Sequence, residues 1–412
     1  MSIRICLIFI LSLLSSCIYS QITHPDAGMI SSQFSPSPIS NAMGSIGTSS
    51  PINDAFGFYY NPARLGYSSK ESNFSFQLSP KKLAWPSPVN GPDVTFESWA
   101  FNAGWNFDKL IKGFPFRVGL GYMKSRFDYG ESFGNDEDYC NSYSLGIGFD
   151  YYVSVNFGIT YKKATEKFRG LGGKTYKASL GAADYGLLLV APIWKLSGLP
   201  QGIEYSKGLY LSPKLNLSLG YARRNQGGEF YFINPAQSDP IARTDNLGYT
   251  LSAGIEMDIS SGNTLSLLTM DWSTEIEDLL VYYEIYQDYD YKLKYKGMLK
   301  DINIWKNLIC GELNKKIIRH RGLKLEIGEM LQFYSGSVAG DSYYSDFESK
   351  GVGFRTKGLL KLLKLCDSRT IDFIADHFDL QYVSSRFLIF SDYNGKEIES
   401  LQFSISGIEK LF

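Results

Sequence analysis

Residues 98–107 read SWAFNAGWNF. Side chains of an extended chain alternate between faces with a period of two. Trp99, Phe101, Ala103, Trp105 and Phe107 therefore share one face, and Ala100, Asn102, Gly104 and Asn106 share the other. One face is bulky and apolar, the other small or polar. The same dyad recurs: Phe116, Val118, Leu120 and Tyr122 alternate with Arg117, Gly119 and Gly121, and Tyr143, Leu145, Ile147 and Phe149 alternate with Ser144, Gly146 and Gly148. Val153 to Tyr161, Leu215 to Tyr221 and Leu247 to Met257 repeat it.

A soluble sandwich also alternates. Here, however, the apolar faces are long and aromatic-tipped and the opposite faces are rich in Gly, Asn and Ser, the pattern of strands with lipid on one side and a lumen on the other. Beyond the first 20 residues no apolar run reaches the length of a membrane-spanning helix. The expected fold class is all-β, a transmembrane antiparallel β-barrel of about 14 strands with an N-terminal segment inserted as a plug. The strands are expected at 71–79, 98–107, 115–125, 142–151, 153–163, 178–190, 213–224, 246–259, 263–272, 302–313, 322–333, 350–359, 375–384 and 399–412. Outer connections then fall at 80–97, 126–141, 225–245, 273–301, 334–349 and 385–398, and inner ones at 108–114 and 314–321. Segment 191–212 is long yet lands on the inner side. The chain ends EKLF, and its alternation shifts phase near Gly407, which predicts a bulge.

The chain opens MSIRICLIFILSLLSSCIYSQ, with Arg4 before an apolar run and small residues after it. This is the pattern of a signal peptide. Cleavage is expected after Ser20, with lipidation of Cys17 as the competing reading. The domains are then a signal peptide at 1–20, a plug segment at 21–70 and the barrel at 71–412, in the bacterial outer membrane.

Composition narrows the function. Aromatic residues make up 15% of the chain, with 40 Gly and a formal net charge of −1, so the basic footprint of a nucleic-acid partner is missing. Past the signal, Cys140, Cys310 and Cys366 are widely spaced and match no disulfide framework or metal motif. His24, His320 and His377 are dispersed, with His320 in the basic stretch IIRHRG, read as an inner turn, and His377 at the lumen or rim. No nucleophile elbow, zinc-binding helix motif or phosphate loop occurs. The loop FRGLGGKTY lacks phosphate-loop spacing and reads as an outer turn. No catalytic residues, cofactor or metal are expected, so the protein is read as no enzyme.

Residues 41–67, NAMGSIGTSSPINDAFGFYYNPARLGY, have no period. Prolines and glycines forbid a long regular element there. A segment of this size before the first strand can fold back into the lumen. It resembles the start of outer-membrane barrels of the long-chain fatty-acid transporter (FadL-like) superfamily, most of all the PorV/PorQ type. Met43, Gly44, Gly47, Asn61, Pro62 and Ala63 carry the match. Residues 220–256, 264–281 and 302–313 resemble later strands of the same family. The resemblance implies a fourteen-strand barrel with a partly inserted N-terminal segment. For the PorV type it implies a component or shuttle of type IX secretion that binds secreted cargo at its extracellular rim. For FadL-like relatives it implies a passive conduit for small hydrophobic molecules. The implied partners are outer-membrane lipid, cargo or secretion components, or a hydrophobic ligand. Tyr282, Tyr283, Tyr286, Tyr289 and Tyr291 form either a partner or ligand surface or part of the interfacial aromatic girdle.

Overall fold

A computed structural model describes Met29, Ser32 and residues 34–408, except 80–82, 85–94, 110, 112, 131–135, 171–172, 201, 207–208, 234–237, 261–262, 286–290, 314–316, 341–346, 367 and 389–396. The expected signal peptide with its cleavage site, and the terminal Phe412, lie outside these residues.

The alternating runs form long strands. These are β1 (Phe74–Leu78), β2 (Thr95–Asn106), β3 (Phe116–Asp128), β4 (Glu137–Asp150), β5 (Ser154–Arg169), β6 (Thr175–Ala191) and β7 (Leu209–Gly227). They continue as β8 (Thr244–Ser260), β9 (Asn263–Leu279), β10 (Ile317–Ile327), β11 (Leu331–Ala339), β12 (Phe347–Arg355), β13 (Phe378–Leu388) and β14 (Glu397–Ile405). Each pairs antiparallel with its sequence neighbours. The ring closes at β1, which sets Phe74 opposite Ala103 on one edge and opposite Ile405 on the other. The result is a closed fourteen-strand antiparallel barrel, as the sequence predicts.

Asn73 clasps that seam. Its N–H donates to the Ile405 carbonyl at 2.8 Å, and its own carbonyl accepts from Gly104 N–H at 2.6 Å. Its side chain donates to the Gly104 carbonyl at 3.2 Å and accepts from Ile408 N–H at 3.0 Å. Closure matters because in hydrocarbon an open sheet edge leaves backbone groups unpaired.

The two faces of the wall separate as the dyad requires. Trp99, Phe101, Trp105, Leu120, Leu145, Phe157, Ile159, Leu219, Leu251 and Trp272 are exposed, whereas Ala100, Arg117, Ser144, Asn156, Thr160, Ser218, Thr250 and Ser273 are buried. An apolar belt this extensive marks a surface that water does not cover. The wall is built to face lipid outside and to hold polar groups within.

Two corrections concern strands 10 and 11. Residues 302–313 are not a strand: Ile304–Ile309 wind into a wide helical turn, with the Asn303 side chain accepting from Lys306 N–H at 3.0 Å. Residues 322–333 are not one strand but parts of β10 and β11, joined by a turn at Gly328 and Glu329, whose φ values are +63° and +53°. The basic stretch around His320 is therefore wall, not an inner turn. One superfluous strand and one merged pair left the number of strands unchanged.

Segment 192–208 is indeed long and at the inner end. It carries a helical turn, α3 in chain order (Ile193–Leu196), and Ile203–Ser206, which folds back on the start of β7. The two preceding helices, α1 (Pro38–Ala42) and α2 (Arg64–Ser68), belong to the N-terminal segment. A second long inner connection, between β12 and β13, was not expected. It holds α4 (Lys357–Leu363) and α5 (Arg369–His377). His377 ends α5, with its Nδ1 2.7 Å from the Ser406 carbonyl.

The turn at Gly328 and Glu329 holds α4 in place. Gly358 N–H donates to the Glu329 carbonyl at 3.2 Å. The Glu329 carboxylate accepts from Lys361 Nζ at 2.6 Å and Ser266 N–H at 2.8 Å. Burial pushes this carboxyl up, but the charges of Lys357 and Lys361 and the donated hydrogen bonds outweigh it and hold it below the ordinary value.

Two outcomes follow. Leu145 lies between outward-facing Leu120 and Ile159, so Leu145→Arg is expected to destabilise the barrel by about 2–4 kcal/mol, read from urea unfolding in lipid vesicles. Because the Glu329 carboxyl is depressed in the folded state, its stabilisation is fully present above the ordinary carboxyl range and is lost as pH falls through the folded value. Amide exchange of α4 in detergent, corrected for intrinsic rate, should rise over that acid window. Glu329→Gln should show the faster exchange already at neutral pH.

Candidate functional site: the N-terminal segment and its seat

Residues 34–73 run against inward-facing wall residues. Local chemistry shapes the path. Ser37 caps α1, its Oγ accepting from Ser40 N–H at 3.1 Å and donating to Asp54 Oδ2 at 2.5 Å. Pro38 opens the helix, where its missing N–H costs nothing. Gly44 ends it with a φ of +69°, a left-handed conformation that glycine adopts without strain.

The wall receives this backbone at glycines. A Cβ at Gly336 in β11 would lie 2.0 Å from Gly44 N, and one at Gly322 in β10 would lie 2.6 Å from the Met43 carbonyl. A Cβ at Gly220 in β7 would lie 2.1 Å from the Thr48 carbonyl oxygen, and one at Gly158 in β5 would lie 2.2 Å from the Pro62 carbonyl carbon. A Cβ at Gly119 in β3 would lie 2.4 Å from the Leu65 carbonyl oxygen, and one at Gly146 in β4 would lie 2.5 Å from Gly66 N. No side chain fits at these places, so the segment lies backbone-on-backbone against much of the ring.

Polar side chains fix what the glycines admit. Glu275 accepts from Gly47 N–H at 3.2 Å, Ser49 N–H at 2.7 Å and Ser49 Oγ at 2.9 Å. Ser49 also shares a hydroxyl chain with Thr250 and Ser273. His320 Nδ1 lies 2.9 Å from the Gly44 carbonyl, and its Nε2 lies 3.2 Å from Glu277. Asn61 donates to the carbonyls of Thr48 at 2.7 Å and Leu187 at 3.0 Å, while its Oδ1 accepts from Ala63 N–H. Ala55 and Phe56 N–H groups are taken by Gln402 and Gln77. At the inner end, fully buried Arg117 pairs with Asp150 at 2.6 Å and bonds Ser154 and Asn156. Such pairing is what lets polar groups stay buried.

Toward the outer end apolar clusters join the polar pairs. Phe34 stacks on Phe127 with ring centroids 5.1 Å apart, beside Phe96. Met29 packs with Ala164, Leu180, Phe230 and Ile241. Below them Arg224 lies over the rings of Tyr59 and Tyr60 at 5.1 and 5.8 Å, and Lys162 pairs with Asp184 at 2.6 Å. A bulge in β7 opposite Asp184 turns Asn225 to a φ of +57° and lets its N–H reach Asp184.

The sequence-derived residues fall in two places. Met43, Gly44, Gly47, Asn61, Pro62 and Ala63 all lie at contacts between the segment and the wall or within its own fold, and Met43, Asn61 and Ala63 are fully buried. Tyr282, Tyr283 and Tyr291 belong to a hairpin, Val281–Ile285 with Tyr291–Tyr295, beyond the wall strands, and Tyr282 is exposed. Tyr286 and Tyr289 lie outside the described residues. Glu275 was expected in an outer loop starting at 273; β9 continues to Leu279, which turns Glu275 into the lumen. Glu275, His320, Arg224 and Lys162 were not singled out as lumen residues. The available signal was phase: each shares the small or polar face of its strand.

No family model matches the chain, and no curated protein matches it. Among solved structures, the CymD monoaromatic hydrocarbon channel is 12% identical with a TM-score of 0.40, covering 90% of this chain and 96% of that one. The toluene transporter TbuX of Ralstonia pickettii is 11% identical with a TM-score of 0.38, covering 89% and 96%. CdiB from Acinetobacter baumannii is 12% identical with a TM-score of 0.35; 81% of this chain spans 59% of that one.

Removing the carboxylate in Glu275→Ala leaves the N–H groups of Gly47 and Ser49 without acceptors, at about 1–3 kcal/mol each. Gly336→Val forces the wall away from Gly44. Both variants, and Asn61→Ala combined with Pro62→Ala, are expected to expose residues 34–70 to protease while the folded wall keeps its heat-dependent gel mobility. Unchanged protease resistance and pore conductance in all three would count against a segment held by these contacts.

Proposed function

We propose that this chain is an outer-membrane barrel of the FadL-like kind, plugged by its N-terminal segment, that passes small hydrophobic molecules without chemical change. One observation carries the reading. At the outer end of the lumen Phe34 packs on Phe96 and Phe127, and Met29 packs with Leu180, Phe230 and Ile241, all buried, whereas a general pore for water-soluble molecules presents polar groups along its channel. An apolar solute that moves in among these side chains gains about 25 cal/mol per Å² of apolar surface taken from water, which would hold it against the plug. Passage then requires the segment to shift from its seat.

A second reading, a PorV-like role in type IX secretion with cargo held at the extracellular rim, is favoured by the outer hairpin. That hairpin is braced to the 228–243 loop: Arg243 lies 3.5 Å from the Tyr295 ring centroid, and Tyr295 donates to the Gly228 carbonyl at 3.1 Å. A braced rim with an exposed Tyr282 suits a protein partner.

Both readings are tested on one deletion strain. The conduit reading expects slower uptake of labelled toluene, with sugar uptake unchanged, and restoration by the intact chain but not by Leu180→Asp. Equal toluene uptake with and without the gene overturns it. The secretion reading expects loss of surface-attached and released proteins, and unaltered levels of these overturn that one.

A further inference from the structure

The inner connection between β12 and β13 carries a helix whose faces are reversed. Lys357 and Lys361 of α4 and Lys364 just past its end share one side, and Leu359 and Leu363, four residues apart, share the other. A surface helix ordinarily turns its apolar stripe inward and its charges to water. Here the lysine side faces protein. Lys361 reaches Glu329 and the Thr264 carbonyl at 2.6 and 2.7 Å, and Lys364 reaches Asp376 of α5 at 2.7 Å. Leu359 and Leu363 are left 43% and 38% exposed. In α5, Phe373 and Ile374 are likewise exposed.

We propose that α4 and α5 lie in the inner leaflet at the rim of the barrel, with Leu359, Leu363, Phe373 and Ile374 among the phospholipid acyl chains just below the headgroups. Two observations select lipid over any other cover. The apolar side is continuous with the lipid-facing wall: the Phe373 ring lies 6.0 Å from Phe378, which stacks at 5.8 Å on Phe403 of the exposed outer face. The same end of the barrel also exposes Ile111, Phe114, Tyr151, Tyr152, Leu196 and Leu199 from three other connections, so the apolar rim is a collar rather than one patch. A partner protein needs one patch, while a bilayer meets the whole circumference. Interfacial helices bury their apolar face about 5–10 Å into this boundary, which holds the barrel at a fixed depth and tilt. The inference depends on the lipid-facing belt and not on what the lumen passes.

The test uses the full mature chain with Cys140→Ser, Cys310→Ser and Cys366→Ser, and an environment-sensitive fluorophore at Leu363→Cys. The protein is placed in vesicles of phosphatidylethanolamine and phosphatidylglycerol, with or without doxyl-labelled acyl chains. The expected result is blue-shifted emission that shallow doxyl lipid quenches more than deep doxyl lipid. A label at Lys300→Cys, in an outer loop, should emit as in water and resist quenching. Water-like, unquenched emission at position 363 overturns the proposal. So does blue-shifted emission that doxyl lipid does not quench and that disappears on diluting the protein into excess lipid, the signature of a second copy covering the stripe. Independently, Leu359→Asn with Leu363→Asn should speed amide exchange of α4 in vesicles and leave it unchanged in the β2–β6 strands.

Discussion

The structure depends on a five-residue strand that is bonded on both edges. β1 closes the ring by pairing with β2 and β14 at once, and Asn73 binds both neighbours at its foot. In water an unpaired edge can bond to solvent; in hydrocarbon it cannot. Closure is thus a condition for the wall to exist, and it fixes everything inside. Asn73 sets the start of β1 at the inner end of the seam, and the segment before it folds back against the inward glycines of the wall.

The interior solves a packing problem that side chains alone do not. The segment and the wall both carry backbone N–H and C=O groups, and every buried one needs a partner. Inward glycines let the two backbones approach until Ser, Asn, Gln and Glu side chains of the wall can reach the segment's amides. Toward the outer end aromatic and aliphatic groups pack on one another beside the buried Lys162–Asp184 pair. The protein therefore places much of its polar pairing at mid-height and its apolar clusters toward the outer end.

The wall was legible because lipid imposes a strict two-residue period. Trp99, Phe101 and Trp105 on one face and Ala100, Asn102 and Gly104 on the other are enough to place β2. The β10–β11 turn was not legible, because LEIGEMLQF stays apolar on both sides of a turn made by two left-handed residues, only one of them glycine. Residues 302–313 misled for the complementary reason: their apolar residues fall on both faces, which a strand in lipid does not allow, and they coil. The site was half visible. Gly44, Gly47 and Asn61 stand out in a segment without a period, but which wall residue meets each one is set by a path through three dimensions that no spacing records. Glu275 and His320 were hidden by being assigned to loops. The reversed polarity of α4 needs the fold, since KGLLKLLK shows an amphipathic helix without showing which side is out.

The order of events in assembly follows from the seam. Ser75 and Ser404, whose hydroxyls meet across it, are 329 positions apart, so this junction joins the two ends of the wall and draws on the last strand. The N-terminal segment is attached to one lip of the junction, and laying it against the other strands while the ring is open avoids threading it through the inner end. Once the lips join, the segment is enclosed like a stave bundle inside a hooped cask. Its removal as a whole then requires either extrusion through an end of the barrel or reopening of the hoop, so a barrier adds to the contacts that retain it.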